Sequence, residues 1–143
     1  MSEQVKAKGG CQCGAIRFEL AERPKEYGAC HCKMCRKLGG GVALTVMVPP
    51  NGATWQGEEH LKTYASSQWA ERGFCGTCGS TLWYGTVQDG VRNLAAGLFE
   101  NAGGAPLKLE FFVDQCPQGY ALVGDHKKLT TQETIALFAP TEE

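Results

Sequence analysis

No stretch of the 143-residue chain approaches the roughly 20 consecutive apolar residues of a membrane-spanning helix. Neither charge is in excess: 14 Lys and Arg stand against 15 Asp and Glu, with the basic residues scattered and never in a run. That balance excludes the strongly basic face on which nucleic acid or an anionic membrane would settle. Residues 1–10 hold no apolar core of the kind an export signal needs, so the expected location is cytoplasmic. Low-complexity tracts and internal repeats are missing, and helical periodicity is sparse. The triplet Gly39-Gly40-Gly41 is followed by no Gly-Lys-Ser or Gly-Lys-Thr, which removes a phosphate-binding loop from consideration.

What the chain does have is a succession of short strand-like segments. Ala15-Ile16-Arg17-Phe18-Glu19-Leu20 alternates apolar and polar positions, the period of a half-buried strand. Residues 42–48 form a nearly continuous apolar run rich in β-branched side chains, bounded by the glycine triplet and Pro49-Pro50. Similar runs occupy 60–64, 81–85, 91–99 and 107–113, separated by turn pairs such as Asn51-Gly52, Asp89-Gly90 and Gly103-Gly104. Helix is expected only at 33–38 and, behind a Thr cap, at 131–138. The pattern reads as one mainly-β domain over residues 1–143. A chain this long buries roughly two-thirds of its unfolded surface and carries a real core.

The chain has eight cysteines, and in a reducing compartment these read as metal ligands or redox groups. The rival, a disulfide scaffold, would need an export signal. Seven of the eight fall in three clusters: Cys11-Gln12-Cys13, Cys30-His31-Cys32-Lys33-Met34-Cys35 and Cys75-Gly76-Thr77-Cys78. In extended backbone residues i and i+2 project to one side, so Cys-x-Cys aims two sulfurs at one point. In Cys-x-x-Cys a tight turn does the same, with Gly76 and Gly79 available for positive φ. Tetrahedral zinc with Zn–S near ~2.3 Å needs sulfurs ~3.8 Å apart, within reach of both spacings.

The seven divide naturally as four plus three. Cys11, Cys13, Cys75 and Cys78 would close a saturated, structural zinc site across more than 60 residues of sequence. Cys30, Cys32 and Cys35 would hold a second zinc with its fourth position open, the arrangement that makes a site catalytic. A quartet drawn partly from the trio satisfies the same spacing rules. Cys116 reads as an ordinary buried or half-buried thiol, although reaching the trio would close that site. His31, on a strand between two ligands, should point away from the metal; His60 and His126 have no partners at ligand spacing and read as non-functional. Arg36, Lys37 and Arg72 flank the clusters, either as solvated charge or as cations offsetting thiolates and binding substrate carboxylates. Trp55, Trp69 and Trp83 read as core or edge-packing residues.

Gly9-Gly10-Cys11-Gln12-Cys13-Gly14-Ala15-Ile16-Arg17-Phe18 resembles the opening of the glutathione-dependent formaldehyde-activating enzyme family, whose domain is shared with centromere protein V. Cys30-His31-Cys32-Lys33-Met34-Cys35-Arg36-Lys37 and Arg72-Gly73-Phe74-Cys75-Gly76-Thr77-Cys78-Gly79-Ser80 are similar to its other signatures, in order. The resemblance is specific over about residues 9–85 and looser to about 113, and 111–117 follow the family pattern only loosely. It implies a mainly-β, Mss4-like (β-tent) fold of antiparallel sheets with two zinc ions per chain. By that resemblance Cys11, Cys13, Cys75 and Cys78 hold the structural zinc, and Cys30, Cys32 and Cys35 the zinc of the active site. The implied activity is a carbon–sulfur lyase reaction joining glutathione to formaldehyde or a related small aldehyde. The alternative is a non-enzymatic zinc-stabilised β module that binds another protein. An enzyme needs an exchangeable fourth position at the trio, whereas a scaffold does not.

Overall fold

The structure, a computed structural model, describes residues 7–138; the export-signal reading of the first residues lies in part outside them. Eleven strands and two helices follow one another as β1 (Lys8–Gly10), β2 (Arg17–Leu20), β3 (Tyr27–Cys30), α1 (Lys33–Gly39), β4 (Ala43–Val48), β5 (Ala53–Gln56), β6 (Leu61–Ala65), β7 (Ala70–Cys75), β8 (Thr81–Thr86), β9 (Arg92–Ala95), β10 (Leu107–Phe111), β11 (Lys127–Lys128) and α2 (Thr131–Phe138). Among these described residues no helix is long and apolar enough to cross a membrane. The mainly-β expectation holds.

The alternation in β2 works as the sequence suggests. Phe18 and Leu20 are buried, while Arg17 and Glu19 face outward. In β4 the apolar run covers only one buried face: Val46 and Val48 are inside, but Met47 is exposed. β1, β2 and β5 form a small antiparallel sheet. The other eight strands form a large sheet in the order β11-β10-β3-β4-β9-β8-β7-β6. Its pairings are antiparallel except around β10, which runs parallel to both β3 and β11. That exception seats β10 beside β3 and brings β11 to the other edge of β10.

Between the sheets lies a core of Ile16, Phe18, Leu20, Val46, Val48, Leu82, Trp83, Leu94 and Phe99, joined by the thiols of Cys11 and Cys75. Phe18 anchors it, with its ring 5.0 Å from Trp55 and 5.1 Å from Phe99. Leu94 is fully buried on the central strand β9. Leu94→Ala is expected to lower the unfolding free energy of the metal-loaded protein by about 2–5 kcal/mol in urea titration. A loss below about 1 kcal/mol would mean the core is not closed around β9.

Several strands were not legible in the sequence. β3, β5, β7 and β11 are short or interrupted by Gly and charged residues, and pairing rather than propensity creates them. Segment 91–99 is a strand only to Ala95 and then turns into a 3₁₀ turn over Ala96–Leu98. At the C-terminus α2 forms where expected. Thr130 Oγ1 accepts the Glu133 N–H at 3.1 Å and Glu133 accepts the Thr130 N–H at 2.9 Å, a reciprocal cap.

Candidate metal centres

The first cluster draws on two distant turns. Cys75 ends β7 and Cys78 follows within the β7–β8 turn, whose backbone closes through Gly79 N–H to Cys75 O at 2.8 Å. Gly79 supplies the positive φ expected of it, at 82°. Gly76 serves a different purpose: a Cβ there would stand 2.9 Å from Lys62 Cε and 3.0 Å from the His60 carbonyl oxygen. Its N–H donates to that carbonyl at 2.7 Å, bracing the turn.

Cys11 and Cys13 differ from the extended reading. Gly14 N–H donates to Cys11 O and Cys11 N–H to Ile16 O, so the pair lies on a reversal rather than a strand. A turn brings the sulfurs together equally well. Cys11 Sγ is 3.7 Å from Cys13 Sγ, which is 3.9 Å from Cys75 Sγ, close to the tetrahedral spacing. All four sulfurs lie within 4.8 Å of one another. Backbone N–H groups of Ile16, Thr77 and Cys78 aim at Cys11 or Cys75 sulfur at 3.3–3.5 Å, and Gln12 N–H donates to Ser80 Oγ across the join.

The second cluster is local. Cys30 ends β3, and Cys32 has extended backbone (φ −61°, ψ 157°), so here the i, i+2 argument applies as expected. Cys32 also caps α1, its sulfur accepting the Cys35 N–H at 3.4 Å, which carries the third sulfur to the same point. The three sulfurs lie within 4.8 Å of one another. Neither Cys116 nor any quartet cysteine joins them among the described residues, and all eight thiols are free. The mixed quartet and the disulfide scaffold are both set aside. Cys116 is half-buried, its S–H directed to Tyr120 O at 3.4 Å.

The thiols within each cluster compete for protons. Hydrogen bonds from Cys30 and then Cys35 hold Cys32 down to about 2. Cys30 is pushed far above the ordinary thiol range by its bonds to Cys32 and Cys35 and by burial. Cys35 is pulled down by its bond with Cys30 and by nearby Arg72, yet the Cys32 bond and burial leave it raised. In the quartet, Ser80 holds Cys78 down to about 5. At Cys13 an Ala15 backbone bond lowers the thiol, but desolvation and the neighbouring thiols push it up to about 11. Crowded thiols that cannot all ionise together are the donor set a divalent, thiophilic ion relieves. Both clusters fit such a metal.

The flanking cations separate. Arg72 on β7 stacks 4.4 Å over the Tyr84 ring, donates to Ser66 Oγ at 3.3 Å and lies close enough to Cys35 for its charge to favour that thiolate. Burial pushes the Tyr84 hydroxyl up; Arg72 opposes this and the trio's charges add to it. Arg36 instead donates to the His31 carbonyl at 3.2 Å, and Lys37 is exposed. Trp83 is core and Trp55 packs on it, whereas Trp69 is exposed, edge-on to Tyr84 at 6.3 Å.

Two histidines behave differently. His60 stays at the surface, 3.3 Å from Thr77 Oγ1 and outside the metal group. His126, read from sequence as non-functional, has a side chain only 1% exposed and donates Nε2–H to Glu110 Oε1 at 2.6 Å. His31 points away from the sulfurs as expected and donates to the other carboxylate oxygen, also at 2.6 Å. Burial pushes the Glu110 carboxyl up, but the His126 and His31 bonds outweigh it and hold it below the usual range. Strand alternation could not have revealed Glu110: Lys108, two residues earlier, is exposed, and the register shifts between Leu107 and Leu109.

Against this geometry, the family model described as glutathione-dependent formaldehyde-activating enzyme matches residues 6–115. The chain belongs to the glutathione-dependent formaldehyde-activating enzyme family. A Halomonas elongata protein named as a putative glutathione-dependent formaldehyde-activating enzyme is 34% identical over 84 residues, 53% of this chain and 54% of that protein. The match therefore spans about half the length of that relative. A Schizosaccharomyces pombe protein described as an uncharacterized lyase is 28% identical over 90% of this chain and 93% of its own. The crystal structure of a Rhodobacter sphaeroides protein superposes with a TM-score of 0.55 at 23% identity, covering 71% of this chain and 99% of that one. It shares the fold. Both cysteine clusters of this family member lie inside the matched region, while His126 and α2 lie beyond it.

Proposed function

We propose that the chain is a zinc-dependent carbon–sulfur lyase of the S-(hydroxymethyl)glutathione synthase type, joining glutathione to formaldehyde or a related small aldehyde. The observation that carries this reading is the trio: three converging free thiols, without a fourth protein ligand among the described residues, within electrostatic reach of Arg72 and Tyr84. In this reading Cys11, Cys13, Cys75 and Cys78 hold a saturated structural zinc, and Cys30, Cys32 and Cys35 hold the zinc at which the reaction occurs. Zinc at the trio would ease proton loss from an incoming thiol and polarise an aldehyde oxygen. The C–S bond forms as thiol sulfur adds to the carbonyl carbon; the π pair moves to oxygen, where the thiol's proton ends.

The chain's own residues prepare that encounter. Three thiolates outweigh one divalent ion by a unit of charge, and the Arg72 guanidinium, fixed by Tyr84 and Ser66, offsets the excess. The same guanidinium has donors left for a glutathione carboxylate. Titrating glutathione into the zinc-loaded protein by calorimetry is expected to give one site per chain. Arg72→Ala should weaken it about tenfold, the loss of one charge-assisted hydrogen bond of ~1.5 kcal/mol. Absence of any heat of binding to fully metallated protein would remove glutathione from the reading.

A further inference from the structure

We propose that Glu110, gripped between His31 and His126, is a positioning residue that sets the aim of the Cys30 and Cys32 sulfurs, so that metal retention at the trio depends on the C-terminal segment. The inference rests on the trio being a metal site.

The geometry of His31 is the starting point. It is the single residue between two of the three trio cysteines, and its side chain is fully buried. Its backbone N–H donates to Phe111 O at 3.2 Å, its carbonyl accepts from Arg36 Nε at 3.2 Å, and its ring Nε2–H donates to Glu110 Oε2 at 2.6 Å. In extended backbone the imidazole projects opposite to the neighbouring sulfurs. Fixing the ring on one side therefore fixes rotation of the 30–32 segment, and with it the two sulfur directions on the other.

Glu110 is placed to do this by topology. β10 runs parallel beside β3, with Glu110 paired to Ala29 and Phe111 to Cys30, so the carboxylate reaches the residue just past the strand end. On the other side of β10, β11 pairs Glu110 with Lys128 and brings His126 to the second carboxylate oxygen. Leu129 N–H donates to Glu110 O, and Thr134 of α2 holds the N–H of Phe112, a bulky residue at φ 55°. The segment beyond the family match thus buttresses the carboxylate.

The arrangement is costly as a source of stability alone. Glu110 is the one carboxylate buried this deeply among the described residues, and a buried charge is a poor stabiliser compared with an apolar side chain of similar size. Since both carboxylate oxygens accept, each imidazole donates from Nε2, and His31 Nδ1 is left buried without a partner among the described residues. An unpaired atom and a buried carboxylate are tolerated where they specify direction.

The test follows zinc release from the loaded full-length protein to a chromophoric chelator. Wild type should release in two phases, faster from the three-ligand trio. Glu110→Ala and His126→Ala should speed the fast phase about 10–100-fold, the range for partners that orient ligands, and leave the slow phase unchanged. Glu110→Gln, which keeps shape and can accept from one ring while donating to the other, should stay near wild type. An unaltered fast phase in Glu110→Ala would overturn the proposal. So would both phases accelerating by one factor in all three variants, which is global loosening. If Glu110→Ala does not fold, His126→Ala decides, because it leaves the cysteine-bearing strand untouched. A wild type releasing a single zinc in one phase would instead overturn the trio as a metal site, a result distinct from any variant's.

Discussion

Cys13→Ala is expected to leave the chain without a cooperative thermal transition, and Cys75→Ala to do the same. The two thiols differ in one respect that makes the pair informative. Cys75 is fully buried and belongs to the core cluster, whereas Cys13 is exposed. Loss of packing alone would make Cys75→Ala damaging and Cys13→Ala nearly silent, since exposed substitutions usually stay within about 0.5 kcal/mol. Loss of a four-thiolate metal makes both severe. A structural zinc contributes on the order of 10–16 kcal/mol in peptide hosts, against about 5–15 kcal/mol of net stability for a whole domain. Here the quartet ties the turn before β2, in the small sheet, to the β7–β8 turn of the large one, so its loss separates the layers that enclose the core. Circular dichroism melts with metal analysis check this. A sharp wild-type melt from Cys13→Ala would show that the quartet's metal does not hold the fold.

Cys32→Ala is the complementary case, with the largest effect on activity. Metal content should fall from about two ions per chain to about one, with the melt preserved, because the trio lies at the end of β3 outside the core cluster. Formation of the glutathione–formaldehyde adduct should drop to the spontaneous rate. The alanine also removes the sulfur cap that accepts the Cys35 N–H, which costs about 1 kcal/mol and is small beside the loss of the site. Retained activity with one zinc would move the reaction elsewhere. Retained binding of two zinc ions would mean that two thiolates suffice, and the proposed open site would have to be redrawn.

Much of the site was legible because metal-ligand spacing is a local property. Cys-x-Cys and Cys-x-x-Cys place sulfurs within reach of one another in either extended chain or a turn. The Cys11–Cys13 reversal therefore still gave 3.7 Å although the extended backbone assumed there is absent. Strands with clean alternation, such as β2, were equally visible, because their side-chain period and burial agree. β7 was not: Ala70-Glu71-Arg72-Gly73-Phe74-Cys75 carries two charges and a glycine, and its neighbours β6 and β8 make it a strand. Trp69 shows the same limit from the other side, a large aromatic left exposed because its partner is Tyr84 rather than the core.

By itself, then, the sequence determined which thiols belong together within each cluster, that the chain is mainly β, and which family it belongs to; each rests on spacing or order along the backbone. The tertiary structure decided for the four-plus-three division over the mixed quartet, and it alone put Arg72 and Tyr84 within electrostatic reach of the trio and Glu110 between His31 and His126. Those outcomes depend on strand order and register, above all on the parallel seating of β10 between β3 and β11. A charged residue carries no local mark of whether its strand will turn it to water or to two buried imidazoles.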